Sequence, residues 1–279
     1  MKKDEIKKVV RDGYAQVARG NASCCLPMSD SDCCGGGGGA ARDIGKRIGY
    51  SDSELQSAPE GANLGLGCGN PLALASLKSG ETVVDLGSGA GFDCFLAANQ
   101  IGQAGRVIGV DMTPEMIDRA RENARKGGYD QVEFRLGEIE NLPVADNQAD
   151  IIISNCVINL SPDKKRVFQE AYRILKPGGR LMVSDIVLLR ELPAPIRNSV
   201  TAYIGCIAGA DLKTDYLGAI EEAGFREVAI LDETTFPLEL MVNDPTAKAI
   251  AADLKLTKDS AAELNASIAS VKVSGIKPA

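Results

Sequence analysis

The run Asp-Leu-Gly-Ser-Gly-Ala-Gly over residues 85–91 has the residue types of a ligand-binding turn. An apolar, β-branched run stops at Asp85, the chain then turns on glycines, and residues that favour a helix follow from Phe92. Glycines at alternate positions let a ligand approach the backbone, and the first turn of a helix offers N–H groups that need acceptors. The run predicts a strand, a tight loop and a helix that together bind a nucleotide-type cofactor.

The spacing of this loop indicates which cofactor it binds. Dinucleotide sites use G-x-G-x-x-G, whereas the glycines here are spaced G-x-G-x-G, with Asp85 two residues ahead of Gly87. A carboxylate at that position repels a pyrophosphate and attracts a cation. S-adenosyl-L-methionine carries a cationic ammonium and a sulfonium, so the loop favours this cofactor. The alternative is a glycine turn with no ligand.

Three further polar residues follow predicted strands in chain order. Asp111 lies 24 residues beyond Gly87, where a carboxylate can accept hydrogen bonds from ribose hydroxyls. Glu138 can accept from an adenine amino group, and the amide of Ile139 can donate to a ring nitrogen. The carboxyl ends of parallel strands meet at one edge of a sheet. The predicted cofactor-binding residues are therefore Asp85, Gly87, Ser88, Gly89, Asp111, Met112, Glu138, Ile139 and Asn155.

Cysteine is the other chemistry-bearing residue type, with eight cysteines and no histidine in 279 residues. The lack of histidine excludes an imidazole base and a histidine-ligated metal. Two adjacent pairs, Cys24-Cys25 and Cys33-Cys34, fall in the glycine-rich segment 20–41, which we predict to be mobile. Their spacing does not match a zinc CxxC knuckle, so zinc is not expected and a redox or soft-metalloid role is favoured.

Three single cysteines are candidates for ligand binding. Cys68 lies between two glycines, which predicts an open, flexible turn, and Cys156 follows a predicted strand. Cys206 falls in the segment 191–211, which breaks the strand–helix pattern and is predicted to cover the substrate side. Small apolar packing is the alternative for each of them. Cys94, among apolar residues of the first helix, is predicted to pack in the core.

The order of the elements predicts the fold. The apolar run that stops at Asp85 and strands over 106–111, 132–136, 151–154 and 180–187 alternate with helices, which predicts a mainly parallel α/β sheet with helices on both faces. We predict an N-terminal region over 1–59 with an amphipathic helix at 3–18 and a capping box at Ser51–Glu54, and a main domain over 60–240. Late strands over 227–240 should supply an antiparallel edge. The remaining residues, 241–279, are predicted to form a helical appendage, with two helices over 245–272.

Composition narrows the partners. A net charge of −7 and a pI near 4.9 give no positive surface for nucleic acid or anionic lipid. No apolar run approaches the roughly 18 residues of a membrane helix, and the N-terminus lacks the apolar core of a signal peptide. We therefore expect a cytoplasmic protein, monomeric by default.

Four runs, namely 64–71, 84–94, 110–116 and 154–162, resemble class I S-adenosylmethionine-dependent methyltransferases, and in particular the arsenite methyltransferases. The resemblance covers roughly residues 60–235. It implies a Rossmann-like, seven-stranded sheet, and it implies that Cys68, Cys156 and Cys206 bind trivalent arsenic as arsenite or methylarsenite. Relatives also use an N-terminal cysteine in redox cycling, for which this chain offers Cys24, Cys25, Cys33 and Cys34, with one of the first two preferred.

The chemistry of arsenic agrees with this resemblance. Trivalent arsenic is thiophilic, and three thiolates leave its lone pair exposed as the nucleophile, so no general base is required. Methyl transfer raises arsenic to the pentavalent state, and two cysteines can return two electrons by forming a disulfide. Thioredoxin or a small thiol would then reset the enzyme. The alternatives are a C- or S-methyltransferase for another small molecule and a non-catalytic metalloid-binding protein.

Overall fold

The computed structural model describes residues 3–19, 38–192, 197, 207–235 and 266–279. Within these ranges the chain forms a seven-stranded sheet with the strand order β3-β2-β1-β4-β5-β7-β6. The strands are β1 (Thr82–Leu86), β2 (Arg106–Asp111), β3 (Val132–Leu136), β4 (Ala149–Asn155), β5 (Leu175–Leu188), β6 (Arg226–Thr235) and β7 (Ile268–Ile276).

Two of the described helices begin at residues whose side chains cap the first turn. Ser51 forms the predicted capping box with Glu54, and Asp163 accepts a hydrogen bond from the Arg166 amide. Pro114 lies in the first turn of its helix, where a missing N–H has no consequence. The helices are α1 (Lys3–Ala18), α2 (Gly38–Arg47), α3 (Asp52–Ser57), α4 (Phe92–Ile101), α5 (Pro114–Gly127), α6 (Lys164–Ile174) and α7 (Lys213–Glu222).

The first five strands are parallel to one another, and the strand order reverses beside β1. Asp85 pairs in register with Gly109 of β2 on one side and with Ile153 of β4 on the other. The loops after β1 and β4 therefore diverge to opposite sides of the sheet and leave a crevice at their carboxyl ends. The predicted cofactor-binding residues follow these strands in the sequence, and the sheet brings the strand ends together.

Alternating side chains of the strands form two cores, one on each face of the sheet. Val84 and Leu86 pack with Phe168 of α6 on one face. Val83 and Ile151 pack with Phe95 of α4 on the other. The predicted α/β architecture with helices on both faces is thereby confirmed.

The prediction of a helical C-terminal appendage is wrong for residues 268–279. Residues 268–276 form β7, which lies inside the sheet, antiparallel to β5 on one side and to β6 on the other. Valines and isoleucines alternate with small and polar residues there, and β-branched side chains favour a strand over a helix. This segment therefore belongs to the main domain. Residues 241–265 are not among those described.

Smaller differences concern the ends of elements. α2 begins at Gly38, inside the segment 20–41 that was predicted to be mobile, while residues 20–37 are not described. β5 begins at Leu175, earlier than the predicted residue 180. The late antiparallel edge is confirmed, because β6 lies at the end of the sheet beside β7. No helix among the described ranges is long and apolar enough to cross a membrane.

Candidate cofactor and thiol site

A cavity of about 260 Å³ lies at the carboxyl ends of β1, β2 and β4. One wall is formed by the loop after β1, and α1 covers the opening with Lys7, Val10, Tyr14 and Val17. Eight of the nine predicted cofactor-binding residues line it, together with two cysteines. The predicted residues in its wall are Asp85, Gly87, Ser88, Gly89, Asp111, Met112, Ile139 and Asn155.

The glycines of the loop after β1 serve different purposes. Gly87 has φ +71°, and a Cβ there would lie 2.2 Å from a methyl group of Val157, so this glycine is required by packing. Gly89 has φ +52°, and a Cβ there would meet no atom within 4 Å. Gly89 therefore leaves open space at the cavity wall, where a ligand can approach the backbone.

Asp111 is held against this loop by backbone donors. Its carboxylate accepts hydrogen bonds from the amide of Gly89 at 3.0 Å and from the amide of Thr113 at 2.8 Å. Burial raises the pKa of Asp111, and these amides oppose that rise. Each oxygen keeps a further lone pair, so the side chain can accept from a diol in the cavity.

Two buried acids, Asp85 and Asp93, also line the cavity. Asp85 is 3% exposed and accepts a hydrogen bond from the thiol of Cys94 at 3.2 Å. Burial and the nearby charge of Asp93 raise the pKa of Asp85 well above its usual value. Burial also raises the pKa of Asp93 to about 6, although hydrogen bonds from Tyr50 and Asn155 oppose it. A cationic ligand group beside this pair would favour the ionised form of both carboxylates.

Glu138 is the predicted residue that does not line the cavity. Its carboxylate lies 2.7 Å from Nζ of Lys7 on α1, and the same ammonium lies 3.4 Å from a carboxylate oxygen of Glu140. Because α1 packs across this edge, Glu138 binds the helix instead of facing the cavity. Its neighbour Ile139 does line the cavity and is largely buried.

Asn155, at the end of β4, connects the acid pair to the loop that carries Cys68. Its Oδ1 accepts a hydrogen bond from the Cys68 amide at 3.1 Å, and its Nδ2 lies 2.8 Å from the Gly69 carbonyl oxygen. The same Nδ2 lies 3.0 Å from the Tyr50 hydroxyl and 3.2 Å from Asp93 Oδ2. One amide thus fixes the Cys68 loop relative to the wall that contains Asp93.

Cys68 does not lie on an open turn, contrary to the sequence prediction. It is 5% exposed, and its thiol lies 3.7 Å from the Ser184 carbonyl oxygen. A Cβ at Gly67 would lie 2.8 Å from the Asn155 amide, and one at Gly69 would lie 2.0 Å from Ser184 Oγ. The two glycines therefore permit close backbone packing, which buries the thiol in the cavity wall.

Cys156, directly after β4, lies beside Cys68 of the loop that precedes β1. Its backbone has φ +59°, an uncommon conformation for a residue with a side chain, and its amide donates to the Ser184 carbonyl at 2.8 Å. The sulfurs of Cys68 and Cys156 and a carboxylate oxygen of Asp185 all lie within 4.8 Å of one another. All three side chains are buried, and both cysteines line the cavity.

The other cysteines divide into two groups. Cys94 is fully buried on α4, as predicted, and does not belong to the cavity wall. Cys206 and the four N-terminal cysteines fall in ranges that the structure leaves undescribed. Arsenic binding by Cys206 and redox cycling by Cys24, Cys25, Cys33 or Cys34 stay predictions.

Sequence reasoning missed several residues of this site. Asp185 interrupts an apolar strand, and an acid in such a run is a signal that could have identified it. Asp93 falls in the first turn of α4, where an acid is explained by the helix dipole alone, so its position was uninformative. Tyr50 reaches Asp93 from a distant loop, and no local pattern predicts that contact.

Comparison with known proteins agrees with this geometry. A family profile described as a methyltransferase domain matches residues 77–224. An arsenite methyltransferase of Halobacterium salinarum is 49% identical over 83% of this chain and 61% of that protein, and the human arsenite methyltransferase is 37% identical over 74% and 54%. The chain therefore spans little more than half the length of these relatives.

A solved structure extends the comparison. The crystal structure of an arsenic(III) S-adenosylmethionine methyltransferase from Chlamydomonas reinhardtii is 31% identical, with a TM-score of 0.61 over 86% of this chain and 73% of that one. The profile match, the sheet order and this likeness lead to one conclusion: the chain belongs to the methyltransferase-domain family of class I α/β fold, and the relatives it resembles over most of its length are arsenite methyltransferases.

Proposed function

We propose that this protein transfers methyl groups from S-adenosyl-L-methionine to trivalent arsenic held by cysteine thiolates. The observation that carries the proposal is the position of two buried thiols, Cys68 and Cys156, in the wall of the same cavity as the glycine loop. A methyl donor on the loop and a thiolate-bound acceptor would then share one enclosed space.

The residues of the cavity suit this cofactor. Gly89 leaves open space beside the backbone, and the Ser88 hydroxyl is buried without a hydrogen-bond partner among the described residues. Asp111 would accept from the ribose hydroxyls, and the pair Asp85 and Asp93 would bind the ammonium group. Bound there, S-adenosyl-L-methionine would supply an electrophilic methyl group on sulfur.

The thiols would bind arsenite by exchange for its hydroxyl groups, with water released. Cys68 and Cys156 would hold arsenic with its lone pair exposed, and we propose Cys206 as the third ligand. Catalysis would depend on alignment and on exclusion of water, because the lone pair is already a nucleophile. This accounts for a site without histidine.

The redox cycle is the second part of the proposal. Methyl transfer leaves pentavalent arsenic, and formation of one disulfide from two thiols would supply the two electrons that restore the trivalent state. We propose Cys24 or Cys25, with Cys33 and Cys34 as further candidates, and thioredoxin or a small thiol as the external reductant. A reducing cytoplasm and a monomeric protein fit this cycle.

The test is product analysis by arsenic-specific mass spectrometry after incubation of the protein with arsenite, S-adenosyl-L-methionine and a thiol. We expect methylated arsenic from the wild type and none from Cys156→Ser. Cys94→Ser is the matched control, since its thiol lies outside the cavity wall and a serine hydroxyl can still donate to Asp85.

Two results would oppose the proposal. Absence of methylarsenicals despite measured cofactor binding would indicate another methyl acceptor, such as a carbon or sulfur atom of a small molecule. Full activity of Cys156→Ser would remove the thiolate site from the mechanism, whatever product the enzyme makes.

A further inference from the structure

We propose that Cys68, Cys156 and Asp185 form a three-donor site for a thiophilic divalent cation, with Zn²⁺ and Cd²⁺ as the fitting class. The inference goes beyond the proposed methylation and does not depend on it. A cation at this site would occupy the two thiols that arsenite needs, and it would therefore compete with arsenical binding.

The ligand atoms of the three side chains lie close enough to bind a single ion. One ligand atom from each side chain lies within 4.8 Å of the other two, and all three residues are at most 9% exposed. A tetrahedral zinc ion with Zn–S bonds of about 2.3 Å places two sulfurs roughly 3.8 Å apart. The two sulfurs would have to approach each other by up to about 1 Å, a movement of the size that side-chain rotation allows.

Asp185 is oriented like a carboxylate that binds a metal. One oxygen accepts from Asn159 Nδ2 at 2.8 Å and from the Ile186 amide at 2.9 Å, and the other accepts from the Tyr216 hydroxyl at 3.1 Å. Ligating carboxylates are usually held by such outer hydrogen bonds, which fix the direction of the remaining lone pairs. The second oxygen keeps a lone pair after the bond from Tyr216.

The buried carboxylate of Asp185 would also be stabilised in its charged form by a bound cation. Asp185 is 1% exposed and forms no ion pair with a lysine or arginine of the described ranges; the charge of Lys164, which pairs with Asp211, acts on it only from a distance. A buried acid beside two thiols is costly to ionise unless a positive charge is close. The methylation proposal assigns no role to this carboxylate.

The donor set selects the class of ion. Two thiolates favour a soft or borderline cation over Mg²⁺ or Ca²⁺, and three protein ligands in all leave the fourth position open, as in catalytic zinc sites. The fourth position would face the cavity, because Cys68 and Cys156 line it. Binding would convert two thiols to thiolates and release two protons to solvent, with no change of oxidation state.

Arsenic and a divalent cation would use this site differently. A trivalent arsenical that forms two sulfur bonds needs the thiols and gains little from the carboxylate, whereas a divalent cation would use all three donors. Asp185→Asn separates the two cases. The asparagine can still accept from Asn159 and Ile186, and its amide can donate to the Tyr216 hydroxyl.

The experiment is a Cd²⁺ titration followed by thiolate-to-metal absorption in the ultraviolet. The full chain would carry serine at Cys24, Cys25, Cys33 and Cys34, which removes other thiol pairs. We expect one saturable Cd²⁺ per chain and its loss in Cys156→Ser. Asp185→Asn should weaken Cd²⁺ binding at least tenfold and leave the affinity for phenylarsine oxide, a two-thiol probe, within twofold. Exposed Asp130→Asn is the matched control and should leave both affinities unchanged.

Two outcomes would overturn the proposal. Equal Cd²⁺ affinity of the parent and Asp185→Asn would exclude the carboxylate as a ligand, and absence of saturable binding would exclude the site. X-ray absorption at the metal edge of the same four-serine parent, loaded with one Cd²⁺ per chain, is independent of any folding defect in Cys156→Ser or Asp185→Asn. We expect two sulfur neighbours with oxygen completing the shell, and three sulfurs would refute the role of Asp185. Neither result depends on whether arsenic is methylated.

Discussion

Asn155→Ala should destabilise the protein strongly and release the loop that carries Cys68. The amide accepts from the Cys68 N–H and lies within 3.2 Å of three acceptors, namely the Gly69 carbonyl, the Tyr50 hydroxyl and an Asp93 oxygen. A buried hydrogen bond contributes about 1 kcal/mol net, and a buried group left without a partner costs about 1–3 kcal/mol. The truncation should therefore lower the free energy of unfolding by about 3 kcal/mol.

Urea unfolding followed by far-ultraviolet circular dichroism measures this loss. With a slope of about 2–3 kcal/mol per molar, the midpoint should fall by about 1 M. Asn141→Ala is the control, because that side chain is exposed and surface changes usually cost less than about 0.5 kcal/mol. In native conditions, Cys68 of Asn155→Ala should also react faster with a thiol reagent, since the loop loses two of its anchors.

A midpoint within about 0.2 M of the wild type would refute this reasoning. It would mean that the Cys68 loop is held by its backbone packing, with Asn155 contributing little. If stability falls strongly but Cys68 reactivity is unchanged, the loss of stability and the release of the Cys68 loop are separate effects. Asn155 would then stabilise the protein through its contacts with Tyr50 and Asp93 alone.

Three further predictions address separate features of the site. Gly67→Ala should lower the free energy of unfolding in urea by about 2 kcal/mol or more, because φ is +111° and the new Cβ would lie 2.8 Å from the Asn155 amide. The control Gly128→Ala, at φ +69° with nothing within 4 Å of the new Cβ, should lower it by only about 1 kcal/mol. Equal losses would refute the packing argument. Burial raises the pKa of Asp93 from 3.8 to about 6, so the folded state binds the proton more tightly than the unfolded state. The free energy of unfolding should therefore fall as pH rises from about 4 to about 6. Asp93→Asn should flatten this slope, and an unchanged slope would contradict the assignment to Asp93. Lys7→Met removes the ion pairs of α1 with Glu138 and Glu140, so limited proteolysis after α1 should become faster. Lys8→Met, at an exposed position of the same helix, should leave the cleavage rate unchanged. Equal cleavage rates for the two variants would exclude these ion pairs as anchors of α1.

That Asp85, Gly89 and Asp111 line one cavity was predictable because the sequence signals are local. A strand that ends at Asp85, the glycine turn, and the later acid at Asp111 each depend on short runs of sequence, and parallel strand order then places them at one edge. Glu138 shows the limit of this reasoning. It follows β3 as predicted, yet α1 covers this edge and Lys7 binds its carboxylate.

The C-terminal strand shows a different limit. Residues 268–276 carry β-branched residues at strand spacing, but their place between β5 and β6 depends on pairings such as Arg180 with Ile276. These pairings join residues far apart in the chain, so no local pattern predicts the partner.

The amino-acid sequence by itself determined the kind of cavity and the presence of thiols, because residue type and short-range periodicity fix strands, turns and chemistry. Only the tertiary structure decided that Cys68 is buried against Asn155, that Cys156 lies beside it, and that Asp185 joins both. These contacts join residues far apart in the chain, and close packing of separate loops and strands, which no local sequence window encodes, sets their distances.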